Sequence, residues 1–383
     1  MPRLCKAGEL WEITQDGVRL VIVADGKQTI RKFISVDHAK VQHDKLVADK
    51  LAAGWELTTE GPALHPDGEP RELVLEAAIT ADPFDRNAYA VYGDWYQARH
   101  HPRGELIALQ LAEEREHRPR VRDAIEKHIA RHREVLMGNL ARYGDSPFGW
   151  RFGFIHRLAV ADDDPAPELV KALLRHPSGR VLTEAALRVH DARSLARALD
   201  ELAVASNLRE LSIVTGAQLI SLDGLARFTK LRALTVKSYG ASPQAGVLAA
   251  IARIAPTLGS LDLLAAPMQS AWDELAPLFA RTDLTLDHLG MRMPELVDPM
   301  LSALADSPLA AHVVSLDISQ TDPDDGVRAL LANRERFATL RTIELSLDRI
   351  VPRVASALRA AGIELIDAAD DPDAEEYFDE VGE

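Results

Sequence analysis

The chain has 383 residues, 47% of them hydrophobic, enough for two or three domains with cores of their own. Its formal net charge is −15, from 59 acidic and 44 basic residues, which argues against broad electrostatic binding to nucleic acid or to anionic membranes. A single cysteine, Cys5, excludes an internal disulfide and a cysteine-rich zinc motif, and neither a signal-like apolar segment nor a membrane-length apolar run of about 18 residues is present, so a cytoplasmic location is expected.

Residues 10–13 and 18–23 read as two strands joined by a turn at Gln15-Asp16-Gly17, a strong hairpin signal. A second turn at Asp25-Gly26 leads to a third strand over residues 29–34. Residues 37–53 then form an amphipathic helix, with Val41, Leu46, Val47 and Leu51 apolar and Gly54 closing it. Trp11 in the first strand, Gly26, Phe33, Lys50-Leu51 and Gly54-Trp55 resemble the WGR domain, found in bacterial proteins and in poly-ADP-ribose polymerases. The Trp-Gly-Arg motif itself is missing, since residues 20–24 occupy its place without it. In the polymerases the fold touches DNA. Without the motif's arginine, Trp11 and Phe33 are read as core residues.

Residues 61–70 are rich in Pro and Gly and read as a linker. The spacing then predicts helices over 73–80, 87–98, 104–116 (with Pro102 near N1) and 121–142. Three stretches stand out here: Ala77-Ala78-Ile79 with Ala81-Asp82-Pro83, Tyr89 with Val91-Tyr92-Gly93-Asp94-Trp95, and His101-Pro102-Arg103-Gly104-Glu105. They are similar to the helical repeat-companion domain that precedes leucine-rich-like repeats in many bacterial proteins, with Gly93 and His101 where that family has Ala and Asp. No catalytic role attaches to the family. Arg103 is expected to fork onto a carboxylate and Glu105 to sit in a helix's first turn. His128 and His132 lie four apart, but no third metal ligand is evident.

From about residue 155 to 366 the chain repeats an apolar-x-x-apolar-x-apolar rung. The rungs are Ile155/Leu158/Val160, Leu182/Ala185/Leu187, Leu208/Leu211/Ile213, Leu231/Leu234/Val236, Leu258/Leu261/Leu263, Leu286/Leu289/Met291, Val313/Leu316/Ile318 and Leu340/Ile343/Leu345, then more loosely Ile363/Leu365. Successive full rungs start 27, 26, 23, 27, 28, 27 and 27 positions apart. A period of that length in a mixed strand-and-helix pattern means stacked units, since one unit alone leaves its apolar face uncovered. The pattern resembles the leucine-rich repeat, although its asparagine or cysteine position falls near Ala265, Gln320 and Asp348, none of them Asn.

The expected architecture is α/β: a leucine-rich-repeat-like solenoid (parallel sheet inside, helices outside) over 151–366. An α+β WGR-like module (1–60), the linker and a helical repeat-companion domain (71–150) precede it, and an acidic tail (367–383) without a basic residue follows it. No phosphate loop, dinucleotide fingerprint or nucleophile elbow appears, so no catalytic residue, cofactor or metal is assigned and the chain reads as a non-enzyme. Strand residues flanking the inward apolar pair point to the opposite, concave face. Arg188, Glu210, Ser212, Thr235, Lys237, Asp262, His288, Arg292, Asp317 and Glu344 are therefore the expected surface for another protein. The chain is accordingly expected to be an interaction adaptor or sensor. The alternatives are a nucleic-acid or stress sensor using the WGR-like module, and a regulatory subunit holding an enzyme encoded nearby. Oligomeric state and partner identity are left open.

Overall fold

The computed structural model describes residues 3–368 apart from 7–8, 17, 25–26, 58–62, 65–68, 162–163, 216–221, 239–246, 254–256, 266–271, 293–296 and 320–323. The turns at Gly17 and Asp25-Gly26, most of the 61–70 segment and the acidic tail beyond residue 368 therefore lie outside the described residues. The chain forms two compact units: residues 1–144 with 150–155 and 175–181, and the remainder.

In the first unit, β1 (Arg3–Lys6), β2 (Glu9–Asp16), β3 (Arg19–Ala24), β4 (Lys27–Lys32) and β5 (Glu56–Leu57) make an antiparallel sheet in the order β4-β3-β2-β1-β5. Alternation puts Trp11, Ile13, Leu20 and Ile22 in its core, where they meet Ala39 of helix α1 (Val36–Ala52). Trp11 is thus a core residue. Ser35 caps α1 by accepting from the His38 amide, and Gly54 follows the C-cap at φ +82°, a conformation open to glycine. Strands β1 and β5, which have too few apolar residues to show a period, add to the three expected strands. Residues expected to be linker hold β6 (Ala63–Leu64), paired with β7 (Pro70–Arg71), and Glu69 is buried.

Helices α2 (Leu73–Ala81), α3 (Arg86–Gln97) and α4 (Pro102–Glu116) follow, each capped by a side chain, from Glu72, Asp85 and His101. Pro102 stands at N1, where its missing N–H costs nothing. The expected helix over 121–142 is broken into α5 (Pro119–Arg131), α6 (Arg133–Met137) and a 3₁₀ turn (Gly138–Tyr143). Gly138, the C-cap of α6, takes φ +48° and ψ −121°, which ends the α-helical hydrogen bonding there. A Cβ on Gly104 would meet the Gln97 nitrogen at 2.5 Å and the Gly93 oxygen at 2.7 Å, so α3 and α4 approach through glycine. Around this contact Tyr89, Tyr92, Tyr96, Ile107, Phe152 and Phe154 form an aromatic core.

A ten-stranded, mostly parallel sheet, counted among the described residues, has the order β17-β16-β15-β14-β13-β12-β11-β10-β9-β8, and its strands from β10 onward belong wholly to the second unit. Its first half is β8 (Phe148–Arg151), β9 (Phe154–Val160), β10 (Glu184–Arg188), β11 (Glu210–Thr215) and β12 (Ala233–Ser238). The second half is β13 (Ser260–Ala265), β14 (His288–Arg292), β15 (Ser315–Asp317), β16 (Thr342–Leu345) and β17 (Glu364–Asp367). The connections hold α7 (Ala166–Arg175), α8 (Ala192–Leu202), α9 (Val247–Ala252), α10 (Trp272–Phe279), α11 (Val297–Asp306), α12 (Asp324–Ala332) and α13 (Pro352–Ala360). Strands β9 to β17 run parallel in chain order, and the rungs stay in phase: Leu211 lies beside Leu234, Leu234 beside Leu261, and Leu261 beside Leu289. The two apolar residues of each full rung's strand are buried. A threonine stands one residue before the leading leucine at Leu258 and at Leu340. There the Thr257 hydroxyl donates to the Leu231 carbonyl at 2.8 Å, and Thr339 to that of Val313 at 3.0 Å.

Candidate interaction face

The parallel register sorts the polar strand residues into three rows across the sheet. Glu184, Glu210, Ala233, Ser260, His288, Ser315 and Thr342 make the first row, one residue per strand. Ala186, Ser212, Thr235, Asp262, Gly290, Asp317 and Glu344 make the second, and Arg188, Val214, Lys237, Leu264 and Arg292 the third. All ten residues expected to meet a partner therefore share one face, opposite the buried rungs. Glu210 is exposed, and Arg188, Ser212, Thr235, Lys237, Asp262, His288 and Glu344 are half-buried.

Arg292 corrects the expectation of a freely reaching anchor. Its side chain is only 9% exposed, donating from Nη2 to Asp262 Oδ2 at 2.8 Å and holding Nε 3.4 Å from Asp317 Oδ2. Asp317 is likewise buried and accepts at 3.0 Å from the Ser319 amide. Gly290 makes room for this arrangement, since a Cβ there would fall 2.4 Å from Asp262 Oδ1. Next along the row, burial and the neighbouring Asp317 carboxylate raise the pKa of Glu344. His288 Nδ1 lies 3.0 Å from Ser315 Oγ. The sequence held a signal for the Asp262–Arg292–Asp317 set. With rungs aligned, Arg292 sits two positions along from Gly290 and so lies diagonal to Asp262 and Asp317 on the flanking strands.

In the first unit, Arg103 does fork onto a carboxylate, but onto Glu69 of the expected linker rather than a neighbour in its own motif. Nε and Nη2 donate to the two Glu69 oxygens at 2.7 Å each, Nη2 also reaches Ser178 Oγ at 3.0 Å, and Nη1 donates to the Gly153 carbonyl. Arg103 is wholly buried. Burial alone would raise the Glu69 carboxyl, yet the Arg103 guanidinium holds it far below the usual carboxylate range. Arg180 pairs with Glu76, which also takes Arg71 at 2.6 Å and the Tyr92 hydroxyl at 3.1 Å. Burial pushes the Tyr92 hydroxyl up to about 12, so no proton moves here near neutral pH. The network pins the fold. Asp94 and Glu105 are exposed and outside it.

The His128 and His132 ring centroids lie 4.6 Å apart with the rings tilted by 45°, while His128 Nε2 lies 2.9 Å from the Pro102 carbonyl oxygen and Nδ1 3.6 Å from Glu105. Among the described residues no group of three His, Cys, Asp or Glu is placed to hold a metal ion, and no helix is long and apolar enough to cross a membrane.

No family model and no curated protein matches the chain. Solved structures do. A protein of Bacteroides fragilis aligns over 97% of both chains at 16% identity with a TM-score of 0.45. An internalin of Listeria monocytogenes aligns over 56% of this chain and 78% of its own at 14% identity, TM-score 0.29.

Proposed function

We propose that the chain is a non-enzymatic adaptor or sensor whose leucine-rich-repeat-like solenoid offers its polar sheet face to a protein partner. In this reading the N-terminal sheet and helix are a WGR-like module and the helices after it a repeat-companion domain. The carrying observation is the in-phase register, which assembles residues from strands β10 to β16 into one continuous polar surface. Stacked units create such extended surfaces, and interfaces outside their cores are about as polar as ordinary surface. Arg188 and Lys237 supply long basic side chains, and the half-buried Asp262 and Glu344 an acidic half that orients a charged partner.

The test is affinity capture from the native cell, with cross-links mapped by mass spectrometry. Cross-links should concentrate on β10 to β16, and Arg188→Ala with Lys237→Ala should lower capture with an unchanged melting temperature. Cross-links confined to the helical surface of the second unit would refute the reading.

A further inference from the structure

Strand β4 ends its sheet: the order β4-β3-β2-β1-β5 leaves one side of it without a partner strand among the described residues. The direction of its free backbone groups follows from the register. The Phe33 amide donates to the Val18 carbonyl at 2.7 Å, so 33 and 18 are a hydrogen-bonded pair. Such pairs alternate along an antiparallel ladder. Arg31 and Thr29, opposite Leu20 and Ile22, are therefore bonded inward, and Ile30 and Lys32 turn their N–H and C=O groups to the open edge.

The side chains along this edge are unusual for the chain. Thr29, Ile30, Arg31 and Lys32 are all exposed, as is Arg19 opposite Lys32. Residues 27–36 include three basic residues and no acidic one, in a chain whose net charge is −15. Ile30 is 55% exposed, Ile34 94% and Val36 53%. Charges on an edge normally discourage indiscriminate pairing. Here exposed isoleucines accompany them.

We propose that β4 takes up an extended, acidic segment of a protein partner as an added strand. The main chain of Ile30 and Lys32 would bond it, Arg31 and Lys32 would meet its carboxylates, and Ile30 and Ile34 would cover its apolar side chains. Strand addition of this kind takes affinity from the backbone and specificity from alternate side chains.

The test uses the full chain and a fluorescein-labelled peptide of alternating Glu and Val, with a Lys-Val peptide as its counterpart. The acidic peptide should raise anisotropy saturably and slow amide exchange at Ile30 and Lys32, and the basic one should do neither. Ile30→Pro removes only an outward N–H and suits an edge strand, so it should abolish binding with an unchanged melt. Arg31→Glu with Lys32→Glu should weaken binding about tenfold or more while leaving the backbone in place. No binding to the wild-type chain, equal binding of the basic peptide, or full binding by both variants overturns the proposal. So does tight binding of duplex DNA lost in the charge variant, which would make the strip a nucleic-acid contact. Binding seen only after deleting residues 370–383 would assign the edge to the chain's own acidic segment and overturn it too.

Discussion

Arg103 and Glu69, 34 residues apart, make a two-pronged ion pair with both bonds at 2.7 Å in a site closed to water. One partner without the other is a buried charge with no counterion. Glu69→Gln should therefore cost about 3–5 kcal/mol, far more than an exposed pair would. Urea denaturation would read this directly, and Arg103→Met in the same background should recover part of the loss.

Acid should weaken the fold in two stages. Burial holds the His101 imidazole down to about 4, against 6.5 for a free histidine. Between those values the unfolded chain binds the proton first, so stability falls as pH drops from about 6.5. Glu69, whose carboxyl titrates below its usual 4.5, contributes stability that is complete above that value and lost as pH falls further. Urea midpoints between pH 7.5 and 3.5 would resolve the stages. His101→Asn keeps a competent cap for α4 and should diminish the first stage while leaving the second.

Gly290→Ala should destabilise the second unit by about 1–3 kcal/mol, because the added methyl displaces the Asp262 carboxylate from Arg292. Asp262→Ala removes the obstructing oxygen. The double variant should therefore be more stable than the two single losses add up to, a coupling that a double-mutant cycle measures.

The two closest contacts of a methyl at Gly104 are backbone atoms, the Gln97 nitrogen and the Gly93 oxygen, which do not yield cheaply. A loss of about 2 kcal/mol or more is expected, with Gly93→Ala milder because its closest neighbour is an Ile107 methyl at 3.0 Å. Thermal melts of the two variants side by side decide it.

The repeat period was legible because each rung needs two inward apolar residues, and strand periodicity makes that visible at every unit. The three rows of the polar face followed from the same alignment. Whether those side chains are free was not legible. Arg292 is long and charged, which in isolation reads as exposed, and only its diagonal neighbours reveal it as half of a buried set. Glu69 was hidden for another reason: Pro66, Gly68 and Pro70 around it signal a loop, and composition carries no trace of a partner 34 residues away. The break at Gly138 was masked by apolar spacing that continues past it to Leu140.

The parallel sheet also fixes how the second unit assembles in time. Every strand from β10 to β17 finds its partner between 22 and 28 residues back along the chain, as Leu365 does with Ile343 and Leu289 with Leu261. Closure entropy grows only with the logarithm of loop length, so its cost is nearly the same at each of these steps. Arrays of stacked units can nucleate at any neighbouring pair and propagate from it, and this register permits the same. Loss of β17 at the far end unzips a single step, so chain damage there is absorbed locally while damage at β13 severs the array in two.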